Sequence, residues 1–201
     1  MFSIATVLTV ISTAASIARS VAVIATSVAT VCSVVVNVCK ELGLIKSDMS
    51  VEELGDRALQ AEEQNIRPEN YDSYEEYLNE LQNFPLDEEK SKEYSKEEKE
   101  FKATEVSSGI LVEKYGVGIS DLIDQIAKRP SFFDEGRVAS YLKEAEKGNL
   151  DFKQMSKFFD GELKINDEIV AIKNALIEID KVLNPSKNEK EIEQEINLER
   201  S

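Results

Sequence analysis

The side chains of this chain that could do chemistry are mostly carboxylates, and they come in runs: Glu62-Glu63, Asp87-Glu88-Glu89 and Glu97-Glu98. Acid–base catalysis by paired carboxylates needs one desolvated group beside one solvated group. Runs inside charged helices supply only the solvated kind. Histidine is absent, which removes the commonest general base and the commonest metal ligand together. The sequence therefore assigns no catalytic residue, no cofactor and no metal, and it reads as a non-enzyme. Gly116-Val117-Gly118 precedes a helical pattern, as a phosphate-cradling turn would. It lacks the third glycine, the following lysine and the preceding strand of that motif, and is read as a helix break.

The remaining candidates concern contact rather than reaction. Cys32 and Cys39 are seven residues apart, on nearly one face of a helix but separated by roughly 10 Å along its axis. That distance excludes a disulfide within the helix. They read as small packing residues, with a disulfide between neighbouring copies as the alternative. Tyr71, Tyr74 and Tyr77 flank Glu75 and Glu76 and form a possible interface patch, tyrosine being enriched at interfaces. The same residues would equally dock a short helix onto its neighbour. Arg19 carries the only charge between Met1 and Cys39. A lone arginine on an apolar helix either snorkels to a membrane surface or meets an acid in a bundle, so it marks depth.

The elements that must position these residues differ in kind along the chain. Residues 1–39 contain neither glycine nor proline, and their apolar positions repeat every seven residues. The opposite face is made of Ser and Thr rather than of charges, which suits close helix contact in a low dielectric. Ala14, Ala18, Ala22, Ala25 and Ala29 supply the small-residue spacing for that contact. The pattern predicts one long helix, roughly 60 Å at 1.5 Å per residue, hidden in a membrane, in a bundle of its own copies or in a larger assembly.

From Lys40 onward the chain is acidic and rich in Glu and Lys. The whole sequence has 24 Lys+Arg against 39 Asp+Glu, a net charge of −15, which argues against nucleic acid as a partner. Serine precedes glutamate by three residues at Ser50/Glu53, Ser73/Glu76, Ser95/Glu98 and Ser186/Glu189, the spacing of a capping box. Helices are predicted at 51–64, 74–83, 96–114, 121–128, 134–147, 152–159, 167–183 and 187–199, with breaks at glycine and proline. Gly43 is a plausible stop for the leader helix.

The expected fold is all-α, a long N-terminal apolar helix followed by an acidic multi-helix domain. Four parts are expected: an apolar leader over 1–45, an acidic connector over 46–105, a compact helical domain over 106–185 and an exposed charged helix over 186–201. The function that fits is a non-enzymatic structural or assembly protein, anchored or oligomerised through the leader. Its partners would be itself, a membrane or a larger assembly, and its location a membrane or a multiprotein particle. The alternative is a membrane-active pore or conduit component of the phage-tail or injection-apparatus kind.

Overall fold

Side-chain caps divide the acidic part of the chain into helices close to those predicted. A computed structural model describes residues 4–24 and 28–200, with side-chain surroundings for 8–20 and 28–200. In order the helices are α1 (Ile4–Ile24), α2 (Val28–Glu41), α3 (Val51–Glu63), α4 (Tyr74–Asn83), α5 (Glu88–Ser91), α6 (Lys96–Tyr115), α7 (Ile119–Lys128), α8 (Glu135–Glu146), α9 (Phe152–Phe159), α10 (Asn166–Leu183) and α11 (Glu189–Glu199), with a 3-10 turn at Pro68–Asn70. The described residues contain no strand.

Ser50, Ser73 and Ser95 accept from the backbone N–H of Glu53, Glu76 and Glu98, each satisfying an orphan donor of a first helical turn. At Ser95 the Glu98 carboxylate returns to the cap N–H, completing the box. The fourth box forms two residues later than expected, at Asn188 and Glu191 rather than Ser186 and Glu189. Asparagine caps as well as serine, and the same three-residue spacing is present there. Gly43 does end α2, at φ +70°, and the Leu44 N–H reaches back to the Cys39 carbonyl at 2.8 Å.

The long leader helix is not found. Two helices, α1 and α2, occupy its place, and among the described residues no helix is long and apolar enough to cross a membrane. Among the described side chains, the buried apolar positions of both are covered from within the chain, chiefly by α6, which packs on α1, α2 and α3. Val10, Ala14, Ile17 and Ala18 of α1 and Val31, Cys32, Val35 and Val38 of α2 are buried. What makes α6 a suitable cover is its own small residues, Ala103, Thr104, Ser107, Ser108 and Gly109, all buried. Small residues let neighbouring backbones approach closely, and α6 is approached on most of its circumference.

Two cysteine contacts fix the register. Cys32 Sγ donates to the Glu100 carbonyl at 3.1 Å and Cys39 Sγ to the Ser107 carbonyl at 3.7 Å. Seven residues separate the donors and seven the acceptors, so α2 and α6 run parallel.

The expected boundary at 105/106 falls inside α6. The buried core runs from Val10 to Ile196 and includes Leu54, Leu78 and Leu81 of the 46–105 stretch. α3 lies so close to α6 that a Cβ on Gly55 would stand 1.9 Å from the Lys99 carbonyl oxygen. Nearby, Asp56 accepts from Gln60 Nε2 at 2.8 Å and from Ser91 Oγ, and pairs with Lys99 at 3.1 Å. Burial pushes the Asp56 carboxyl up, but these partners together hold it below its ordinary value. Through Ser91 they also tie α5 to α3 and α6.

The terminal helix is likewise anchored: Ile192 and Ile196 of α11 are buried, facing α10. Arg129, just past α7, gathers two further helix ends by donating to the Phe159 carbonyl at 2.8 Å and the Glu199 carbonyl at 2.7 Å. A cation at these C-terminal carbonyls satisfies groups that no helix can pair internally.

Candidate functional site

A groove of about 650 Å³ opens between α8 and α10. Its apolar lining comes from α10, with Ala175 and Ile179 in the floor and Val182 at the rim. The same two helices are joined by a buried ion pair. Arg137 of α8 donates from Nε to both Asp180 carboxylate oxygens at 3.1 Å, and its second terminal nitrogen lies 2.9 Å from Oδ2. The guanidinium also donates to the Phe132 carbonyl and stacks over the Phe132 ring, 4.0 Å from its centroid. Tyr141 Oη donates to Asp180 at 3.4 Å. Burial raises the Asp180 carboxyl above its ordinary value against the pull of Arg137, while Arg137 remains charged with its own pKa raised by that carboxylate. The arrangement can hold two helices at a fixed spacing; the guanidinium and carboxylate are committed to each other.

The groove walls carry charge of both signs. Lys143, Glu144 and Lys147 stand on the α8 side and Glu178 on the α10 side. Each has a surface partner within the chain: Lys143 with Glu41 at 3.5 Å, Lys147 with Glu144 at 2.6 Å, and Glu178 with Lys181 at 2.7 Å. Such exposed pairs hold about 0–1 kcal/mol and exchange readily. Val182 projects at the end of the groove with 82% of its surface exposed. A neutral-rimmed apolar groove of this kind can receive the side of another helix.

A second cleft of about 330 Å³ is built from the hydroxyl face of α1. Ser12, Thr13, Ser16 and Ser20 line it together with Ser120 and Asp124 of α7. Burial raises the Asp124 carboxyl above its ordinary value. Here the Ser/Thr face serves as the wall between two helices of one chain.

The residues singled out in the sequence fall as follows. Ala14 and Ala18 are buried on the packed side of α1, so they mediate helix contact, within the chain. Ala29 is exposed, and the side chains of Ala22 and Ala25 lie outside the described residues. Arg19 is exposed on α1. Tyr74 and Tyr77 are almost wholly buried and Tyr71 half-buried. Their rings pack edge to face or tilted, with the Tyr77 centroid 5.3 Å from that of Tyr74 and 5.8 Å from that of Tyr71. The Tyr74 ring occupies the space left by Gly109, where a Cβ would come within 2.1 Å of it. The cluster therefore docks α4 onto α6, and Glu113 of α6 completes the joint by accepting from the N–H groups of Tyr74 and Glu75 at 2.6 and 3.0 Å.

Cys32 and Cys39 are both free and buried, which leaves no surface for a disulfide to a neighbouring copy. Burial pushes the Cys32 thiol up to about 11 and raises Cys39 further in the same direction. The thiolate is the reactive form, so both should resist a thiol reagent at neutral pH in the folded protein. They should react together once denaturant is added. Prompt labelling of either thiol in the native protein would contradict the α2–α6 packing.

The groove itself had no signal in the sequence beyond apolar residues at helical spacing. Arg137 and Asp180 were missed because they are far apart in the chain and belong to no motif. Compared with known proteins, the chain matches no family model, no curated protein and no solved structure.

Proposed function

We propose that this chain is a non-enzymatic helical assembly protein that works by contact, through the groove between α8 and α10. The carrying observation is the groove's apolar floor of Ala175, Ile179 and the projecting Val182, open along a body whose other large apolar side chains are mostly packed away. Exposed apolar area bounded by charges is the common form of a protein-binding surface. In this reading α1 and α2 are part of the scaffold rather than its anchor, because their buried apolar positions, which lipid or a bundle of copies would have covered, are covered chiefly by α6. We accordingly favour a multiprotein particle over a membrane as its setting, and a partner protein over a pore as its role.

The reading is tested by photocrosslinking from the groove in the intact chain. A photoreactive aromatic side chain in place of Val182 should give a discrete protein adduct in the cell that makes the chain, whereas the same group at exposed Lys190 should not. Equal labelling from both positions, or no protein adduct from position 182, would overturn it.

A further inference from the structure

We propose that the occupant of the α8–α10 groove is α10 of a second copy of this chain, paired about a two-fold axis. The inference rests on the groove being a protein-binding surface and adds what fills it. A two-fold interface uses the same patch on both subunits, so the patch must offer both a projection and a recess that fit each other. The groove does so: Val182 stands out at one end of α10, and the floor at Ala175 and Ile179 recedes beside it.

The face of α10 that meets solvent is suited to a helix. Ala171, Ala175, Glu178 and Val182 follow one another at four-, three- and four-residue steps, the spacing of a single stripe. Ala171 and Val182 are exposed and Ala175 is half-buried. The opposite side of α10 is the one that packs on its own chain, with Leu176, Ile177 and Asp180 buried. Two alanines in the stripe let a second backbone come close, and antiparallel pairing would bring Val182 of each copy to Ala171 of the other.

The charges of the groove rim are self-complementary about a two-fold axis. At a net of −15, two copies repel over most approaches. The groove rim is an exception, with Lys143 and Lys147 balanced by Glu144 and Glu178. Because the lysines stand on the α8 wall and Glu178 on the α10 wall, a copy seated on the two-fold sets Lys143 of each against Glu178 of the other. At physiological salt the Debye length is about 8 Å, so the remote repulsion is damped while charges at contact are felt. Two helices from each side make an interface at the small end of the range, so the expected state is a concentration-dependent monomer–dimer equilibrium.

A charge-swap experiment on the full chain tests this. Self-association is measured by sedimentation equilibrium for the wild type, Lys143→Glu, Glu178→Lys and an equimolar mixture of the two variants. Either variant alone sets like charges against each other at both ends of the two-fold and should weaken dimerisation about tenfold or more. In the mixture every such contact is again between opposite charges, so a heterodimer should return to near wild-type affinity. Val182→Glu should also weaken pairing and should not be rescued by either charge variant. Circular dichroism on each variant checks that it is folded, and recovery in the mixture cannot come from unfolded chains. A wild-type dimer indifferent to all three substitutions would overturn the proposal by putting the contact elsewhere. A wild type that stays monomeric, with the photoreactive group at position 182 captured by a different protein, would overturn the second-copy occupant while leaving the groove as a binding surface.

Discussion

Arg137→Met is expected to destabilise the fold by about 3–5 kcal/mol, the usual cost of removing one partner from a buried ion pair. The loss is this large because Asp180 is fully buried and would keep its desolvation penalty without the cation that offsets it. The Phe132 carbonyl would lose its donor in the same step. Methionine retains most of the aliphatic volume, so the effect reports charge rather than a cavity. The double variant Arg137→Met/Asp180→Leu should recover most of the loss, since an apolar pair of similar volume replaces a buried ion pair at little net cost.

The pH dependence has a definite sign. With the guanidinium gone, burial outweighs the remaining Tyr141 hydrogen bond and raises the folded-state pKa of Asp180 above the unfolded value. The folded form then binds the extra proton, so the single variant is weakest at neutral pH and regains stability as pH falls through that raised pKa. Urea unfolding followed by circular dichroism, at neutral and at mildly acidic pH, measures both effects. A single variant as stable as wild type, or a double variant no better than the single, would remove the ion pair from its role as the joint between α8 and α10.

Gly55→Ala should destabilise by about 1–3 kcal/mol or more, the range for overpacked interiors. In an ordinary helix interior alanine is favoured over glycine by about 1 kcal/mol, so the sign itself is diagnostic. Here the added Cβ would lie 1.9, 2.6 and 2.8 Å from the carbonyl oxygen, carbonyl carbon and Cα of Lys99. All three are backbone atoms and cannot rotate away. Relief requires α3 and α6 to separate, which strains the Asp56–Lys99 pair on the next residue as well. Gly136→Ala is the matched control: its nearest neighbour would be a side-chain oxygen of Asp134 at 3.4 Å, so the gain in helix propensity, about 0.5–1 kcal/mol, should survive. Thermal melts of the two variants moving in the same direction would contradict the close α3–α6 crossing.

The local part of the architecture was legible because its signals are local. Ser50, Ser73 and Ser95 with their glutamates three residues on marked three helix starts, and Gly43 marked one stop. Apolar residues at helical spacing in 106–185, Phe133, Tyr141, Leu142, Met155 and Phe159 among them, are buried. Ile165 shares the apolar character but is exposed, since it lies just ahead of α10 where the helical phase does not yet apply. What covers the apolar leader was hidden by the composition of α6. Its charged first half reads as a surface helix, and its buried residues Ala103, Ser107, Ser108 and Gly109 have too little hydropathy to announce a core. The groove was hidden for another reason. Lys143, Ala175 and Val182 become one surface only through the Arg137–Asp180 joint, and no pattern within α8 or α10 specifies which helix the other will meet.

The parallel pairing of α2 with α6 bears on how the chain is made. A ribosome delivers α1 and α2 well before the helix that shields them, and at ~5–20 residues per second it needs roughly 4–15 s to pass from the end of α2 to the end of α6. For that interval two apolar helices emerge with no native cover, at the stage when nascent chains are most prone to stick to one another. Until α6 follows, their cover must come from outside the chain's own fold, and a messenger truncated between α2 and α6 is expected to yield a fragment prone to aggregate.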